Sequence, residues 1–115
     1  MKLFVYGTLK KNKMRGHVLE GQAFIGCVET SSDYKLFDVG GYPAMKECSS
    51  GDGSCIKGEL YETTEFFVTD VLDEIEGHPH LFERKEILLK TNEYVTSYIY
   101  TKSVSGFKEC SPFWE

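Results

Sequence analysis

Glu76 is the carboxylate in this chain whose position is most suited to catalysis. It follows Leu72 by four residues, so on a helix it borders the apolar stripe instead of lying opposite it. It also falls in the last turn before Gly77, where the negative end of the helix dipole disfavours a further negative charge. Partial burial acts in the same direction. Both effects favour the protonated form, as a general acid/base working at neutral pH requires. Asp73 and Glu74 share this turn, and a helical wheel points them more to solvent. On pattern alone, the three acids read more simply as one solvated acidic patch. A second candidate is Tyr6–Gly7–Thr8–Leu9, directly after the first apolar run. A glycine at a strand exit lets the backbone turn sharply and present consecutive N–H groups to a carboxylate or an oxyanion. Taken alone, Gly7 reads more simply as an ordinary strand-to-loop glycine.

Other chemistries find less support. His78–Pro79–His80 beside Glu76 offers two imidazoles and a carboxylate, a conceivable metal set. The spacing crosses a proline in a turn, and the one remaining histidine, His17, is far away in sequence. A metal-dependent hydrolase using Glu76, His78 and His80 is therefore the weakest reading, and no metal site is expected. No GxxxxGK[ST] loop and no GxSxG elbow is present. Cys27, Cys48, Cys55 and Cys110 form no CxxC pair and are expected as free thiols, although Cys48 and Cys55 flank a loop and could pair under an oxidant. Lys10, Lys11, Lys13 and Arg15 make the one basic cluster, and a solvated loop is the expected setting. The 18 acids outnumber the 13 bases, giving a net charge of -5. That balance argues against a nucleic-acid partner and against a polybasic membrane anchor. No apolar run approaches the roughly 18 residues of a membrane span. The apolar start is followed by Gly7, Lys10 and Lys11, the reverse of a signal peptide, so a cytoplasmic chain is expected.

The elements that must position these residues follow from periodicity. At 115 residues the chain has room for one domain and excludes a two-lobed cofactor enzyme. Strands are predicted at Lys2–Tyr6, Gln22–Thr30, Tyr34–Val39, Tyr42–Glu47, Cys55–Glu62, Leu81–Lys90 and Tyr94–Lys102. Gly40–Gly41 and Thr91–Asn92–Glu93 supply turns, Ser49–Ser54 a loop, and His17–Glu20 a short helical turn. Val68, Val71, Leu72 and Ile75 make the stripe of one amphipathic helix. It should run from about Glu65 to Glu76, capped by Thr63 or Thr64, closed by Gly77 and stopped by Pro79. Phe113–Trp114 is costly to expose, so the tail should dock on the body. Strands outnumber helices, with one main helix inserted late. The fold class is α+β, with the sheet curled into a small barrel.

Taken in order, five segments resemble the γ-glutamylcyclotransferase-like superfamily, in its γ-glutamylamine cyclotransferase and AIG2-like branch. They are FVYGTLK at Phe4–Lys10, GYPAM at Gly41–Met45, GELYE at Gly58–Glu62, LDEIEG at Leu72–Gly77 and FER at Phe82–Arg84. The resemblance implies a small mixed β-barrel with the helix at its side. It implies that Tyr6, Gly7, Thr8 and Leu9 form the loop holding the glutamyl part, and that Glu76 is the catalytic carboxylate. Tyr42 and Pro43 would lie near the pocket, and Arg84 would be the substrate-site arginine after the helix. The implied partner is a small γ-glutamyl substrate, with no cofactor and no metal, and the implied state is a monomer. The implied reaction is a cyclising acyl transfer that releases 5-oxoproline. The sequence departs from the family where Phe82 replaces a common Tyr, and where Asn12, Lys13 and Met14 replace a glycine-containing stretch. Both changes bear on substrate choice. A non-catalytic module binding a small ligand in the same cavity is the alternative, since fold membership does not fix activity.

Overall fold

Leu3, Phe4, Val5 and Tyr6 are buried in succession, so the first strand, β1 (Lys2–Val5), is covered on both faces beyond the exposed Lys2. Such an unbroken apolar run belongs at the centre of a sheet, and β1 lies there. The computed structural model describes residues 1–7, 10, 16–49 and 51–114. A five-stranded sheet runs in the order β2 (Ala23–Glu29), β5 (Lys57–Glu62), β1, β7 (Tyr94–Tyr100) and β6 (Phe82–Leu88). β1 is antiparallel to β5 and parallel to β7, while β6 and β7 form the expected hairpin. A three-stranded sheet has the order β4 (Pro43–Glu47), β3 (Tyr34–Asp38) and β8 (Lys108–Glu109).

The alternation of side chains along β1 divides the core. Leu3 and Val5 join Tyr61, Val68, Leu72, Phe82 and Tyr98 on the helix side. Phe4 and Tyr6 join Leu36, Met45, Ile56 and Ile99 on the other side, beneath the small sheet. Lys46 Nζ donates to the carbonyls of Tyr100 and Lys102, each at 3.0 Å, and so clips β4 to the end of β7.

The α+β class with one main helix stands, but no closed barrel is found. The edge strands β2 and β6 meet, among the described residues, at the isolated Thr30–Leu89 bridge beyond their ends. There Ser31 N–H donates to the Leu88 carbonyl at 2.9 Å and Lys90 N–H to the Glu29 carbonyl at 3.0 Å. An irregularity between Phe24 and Gly26 bends β2. The sheet therefore curls until its edges touch at one corner, without a continuous ladder between them.

The helix occupies residues 65–76, as its apolar period and caps predict. Thr64 Oγ1 accepts the Phe67 N–H at 3.1 Å, and Gly77 closes the other end with φ 67°. The interior departs from a regular helix. An α turn, α1 (Glu65–Phe67), passes into a π-helical turn at Val68–Leu72, then into α2 (Asp73–Glu76). The Asp73 N–H donates to the Val68 carbonyl, five residues back. A π turn takes in one extra residue and rotates the next turn of helix around the axis. Val68 and Leu72 are buried, Val71 and Ile75 half-buried. No helix of the described residues is long and apolar enough to cross a membrane.

The tail docks through Trp114, which packs against the core, while Phe113 stays 44% exposed. β8 pairs with β3, and Lys57 N–H donates to the Pro112 carbonyl at 2.9 Å. All four cysteines are free.

Candidate active site

The end of β1 opens into a cavity of about 370 Å³. Its walls come from five separated stretches, which is what chain order alone cannot reveal. Phe4–Gly7 form one side, Gly40–Pro43 another, and Ile75–Glu76, Leu81–Phe82 and Ser97–Tyr98 complete it. Tyr6, Gly7, Tyr42, Pro43 and Glu76, expected from the sequence, are thus brought together. Thr8 and Leu9 lie outside the described residues, as do Asn12, Lys13 and Met14.

Each wall is fixed by local chemistry. The buried Tyr6 hydroxyl donates to the Tyr98 carbonyl at 2.8 Å and accepts the Met45 N–H at 3.3 Å. Burial, and then the charge of Glu76, push this phenol well above its ordinary range, so it remains a neutral hydrogen-bonding group. The Asp38 carboxylate accepts the N–H groups of Gly40 and Gly41 at 3.1 and 2.9 Å, which shapes the glycine turn on the rim. The backbone hydrogen bonds hold the Asp38 carboxyl below its ordinary range. Phe82, buried, sets its ring edge-on to Tyr100 at 5.3 Å and tilted to Tyr42 at 6.3 Å. An aromatic wall results.

Glu76 is half-buried on the cavity wall, at the helix end where the sequence places it. Its charge is felt by two of the cavity phenols, Tyr6 and Tyr98. Glu74 is exposed. Asp73, in contrast, does not point to solvent as an unbroken helical wheel requires. Its Oδ1 accepts the Tyr98 hydroxyl at 2.6 Å and its Oδ2 pairs with Arg84 Nη1. The π turn just before it is the physical reason.

Arg84 is the sequence-expected site residue that the structure sets apart. It does not line the cavity; its guanidinium is paired with Asp73, and its backbone N–H donates to His78 Nδ1 at 2.9 Å. His78 is thereby part of the turn after the helix. Among the described residues, no three His, Cys, Asp or Glu side chains converge to hold a metal ion.

Of the basic cluster expected on a solvated loop, Lys11, Lys13 and Arg15 lie outside the described residues, while Lys10 is buried. Only 3% of it is exposed; its Nζ donates to the Trp114 carbonyl and sits 4.0 Å above the Phe113 ring. No local pattern signals this contact, because its partners lie over a hundred residues away.

The chain as a whole is similar to known proteins in sequence and in fold. The profile of the family described as gamma-glutamyl cyclotransferase, AIG2-like, matches residues 3–112. The chain belongs to this family. It is 33% identical over 108 residues to a putative gamma-glutamylcyclotransferase of Drosophila melanogaster, an alignment covering 86% of this chain and 68% of the fly protein. It is 37% identical over 95 residues to gamma-glutamylaminecyclotransferase A of Danio rerio, covering 76% of this chain and 58% of the fish protein. Among solved structures, an AIG2-like protein of Mus musculus superposes with a TM-score of 0.70 at 27% identity, covering 89% of this chain and 76% of the mouse chain. A uropathogenic Escherichia coli-specific protein superposes with a TM-score of 0.81 at 20% identity, covering 94% and 85%, a likeness of fold. In the γ-glutamyl cyclotransferase, AIG2-like family, this chain combines the β1-end cavity with Phe82 in its aromatic wall.

Proposed function

We propose that the protein is a γ-glutamyl cyclotransferase acting on a γ-glutamyl amine or γ-glutamyl amino acid, with Glu76 as general acid/base. The observation that carries this reading is a half-buried carboxylate, Glu76, on the wall of the same cavity as Gly7 at the β1 exit, among mostly apolar and phenolic neighbours. Family membership over residues 3–112 supports it.

In this reading the substrate's own α-amine attacks its γ-carbonyl and closes a five-membered ring. The C–N bond to the leaving amine then breaks, giving 5-oxoproline. The nucleophile is supplied by the substrate, so the chain contributes shape and proton transfer. A folded, well-oriented substrate reaches effective molarities of about 10⁵ M or more. The α-ammonium sheds two protons on becoming a lactam N–H. Glu76 accepts from it and returns protons to the leaving nitrogen, which departs as an ammonium ion. Backbone N–H groups at the Gly7 turn receive the substrate carboxylate or the developing oxyanion. The glutamyl chain lies against Tyr6, Tyr42 and Pro43.

The test is Glu76→Gln, which keeps the shape and removes the proton carrier. With γ-glutamyl-ε-lysine, γ-glutamyl-alanine and glutathione as substrates, wild type should release 5-oxoproline from at least one. The variant should lose about 10²–10⁴-fold in rate while remaining folded. Wild-type activity in Glu76→Gln would refute the role. Binding without product in wild type would favour a ligand-binding module.

A further inference from the structure

Arg84, Asp73 and Tyr98 form one connected cluster beside the cavity. Arg84 Nη1 pairs with Asp73 Oδ2, and the Tyr98 hydroxyl donates to Asp73 Oδ1 at 2.6 Å. The Arg84 backbone N–H also holds His78 Nδ1 at 2.9 Å, two residues beyond Glu76. On the far side, the Tyr98 carbonyl accepts the Tyr6 hydroxyl at 2.8 Å, one residue before Gly7. A continuous set of contacts therefore runs from the helix end, through β6 and β7, to the β1 exit.

We propose that Arg84 and Asp73 are positioning residues, which lock the helix end to β6 and β7 so that Glu76 faces the Gly7 side of the cavity. Arg84 acts through Asp73 and does not touch substrate. This rests on the reading of Glu76 as the proton carrier. The π turn ending at Leu72 supplies the means, since it brings Asp73 round to Tyr98 while Glu76, three residues on, stays on the cavity wall. Tyr98 is well suited to the task. Burial, and then its bond to Asp73, push its phenol well above the ordinary range, so it stays a donor. An ion pair of this partial exposure adds little stability on its own, so its consequence should be sought in geometry. A displacement of about 1 Å at a reacting group costs about 10²-fold in rate.

The experiment compares Arg84→Gln, Asp73→Asn and Tyr98→Phe by 5-oxoproline release, with thermal unfolding in parallel. All three should lower kcat about 10–100-fold with little change in KM. In a Glu76→Gln background, Asp73→Asn should add no further loss, because residues acting as a unit are not additive. A direct substrate contact by Arg84 predicts a raised KM in Arg84→Gln and normal turnover in Asp73→Asn, which would overturn the proposal. So would a lowered unfolding temperature with kcat intact. If Asp73→Asn does not fold, Tyr98→Phe alone, which keeps the ring, decides in the same way. If wild type turns over no γ-glutamyl amide, the functional reading fails separately. Positioning is then judged by NMR couplings across the Glu76 side-chain torsion. These should report one rotamer in wild type and averaging in Arg84→Gln; identical couplings would overturn it.

Discussion

A β-carbon added at Gly7 would lie 2.7 Å from Pro43 Cγ and 3.3 Å from Pro43 Cδ. The glycine at the β1 exit is therefore required by the close approach of β4, and its value to the cavity is that it lets the Pro43 ring form the adjoining wall.

Gly7→Ala should consequently force β4 away from β1. Overpacking of this kind costs about 1–3 kcal/mol. Urea unfolding should show the loss, and turnover should fall with it because Pro43 is displaced from the cavity. Unchanged stability would show that the proline moves freely.

Tyr6→Phe removes a buried hydroxyl that serves both the Tyr98 carbonyl and the Met45 N–H. Stripping a buried pair of partners should cost about 1–3 kcal/mol, measured by chemical denaturation. Because the ring remains, cavity shape should persist, and substrate KM should change less than stability.

Alkaline pH should expose the same phenols. Tyr6 and Tyr98 are both pushed upward in the folded state, first by burial, then by Glu76 for Tyr6 and by Asp73 for Tyr98. A raised folded value means that their contribution is fully present below the unfolded value of about 10 and is lost as pH climbs through the folded value. Stability should thus decline above about pH 10, with tyrosinate absorbance rising as the protein unfolds. Tyr6→Phe should flatten that decline.

Lys10→Met should release the tail while keeping the aliphatic stem. The lost cation–π contact is worth about 0.5–2 kcal/mol and the lost charged hydrogen bond about 1.5–3 kcal/mol. Trp114 is the single tryptophan, so its emission reports the change directly. A red shift and faster proteolysis near the C-terminal segment are expected; an unaltered spectrum would show that β8 and the core contacts hold Trp114 alone.

Much of this protein is decided by local spacing. Strands β1 to β7, the Thr64 cap, the Gly77 stop and the helix between them are visible in sequence because alternation and the 3.6-residue period act over a few neighbours, whereas β8 in the tail is not. Glu76 is legible for the same reason, lying beside the stripe at a helix end. What the sequence cannot express is any relation that depends on contacts remote in the chain. The π turn, which no propensity marks, moves Asp73 from solvent to Tyr98 and Arg84. The partners of Lys10 lie at the opposite end of the chain. Barrel closure depended on whether β2 and β6 would pair along their length, and among the described residues they are joined only at the isolated Thr30–Leu89 bridge. Residue types and period determined the parts and the candidate carboxylate; long-range packing alone decided which side chains surround it, because burial and hydrogen bonding are properties of the assembled fold.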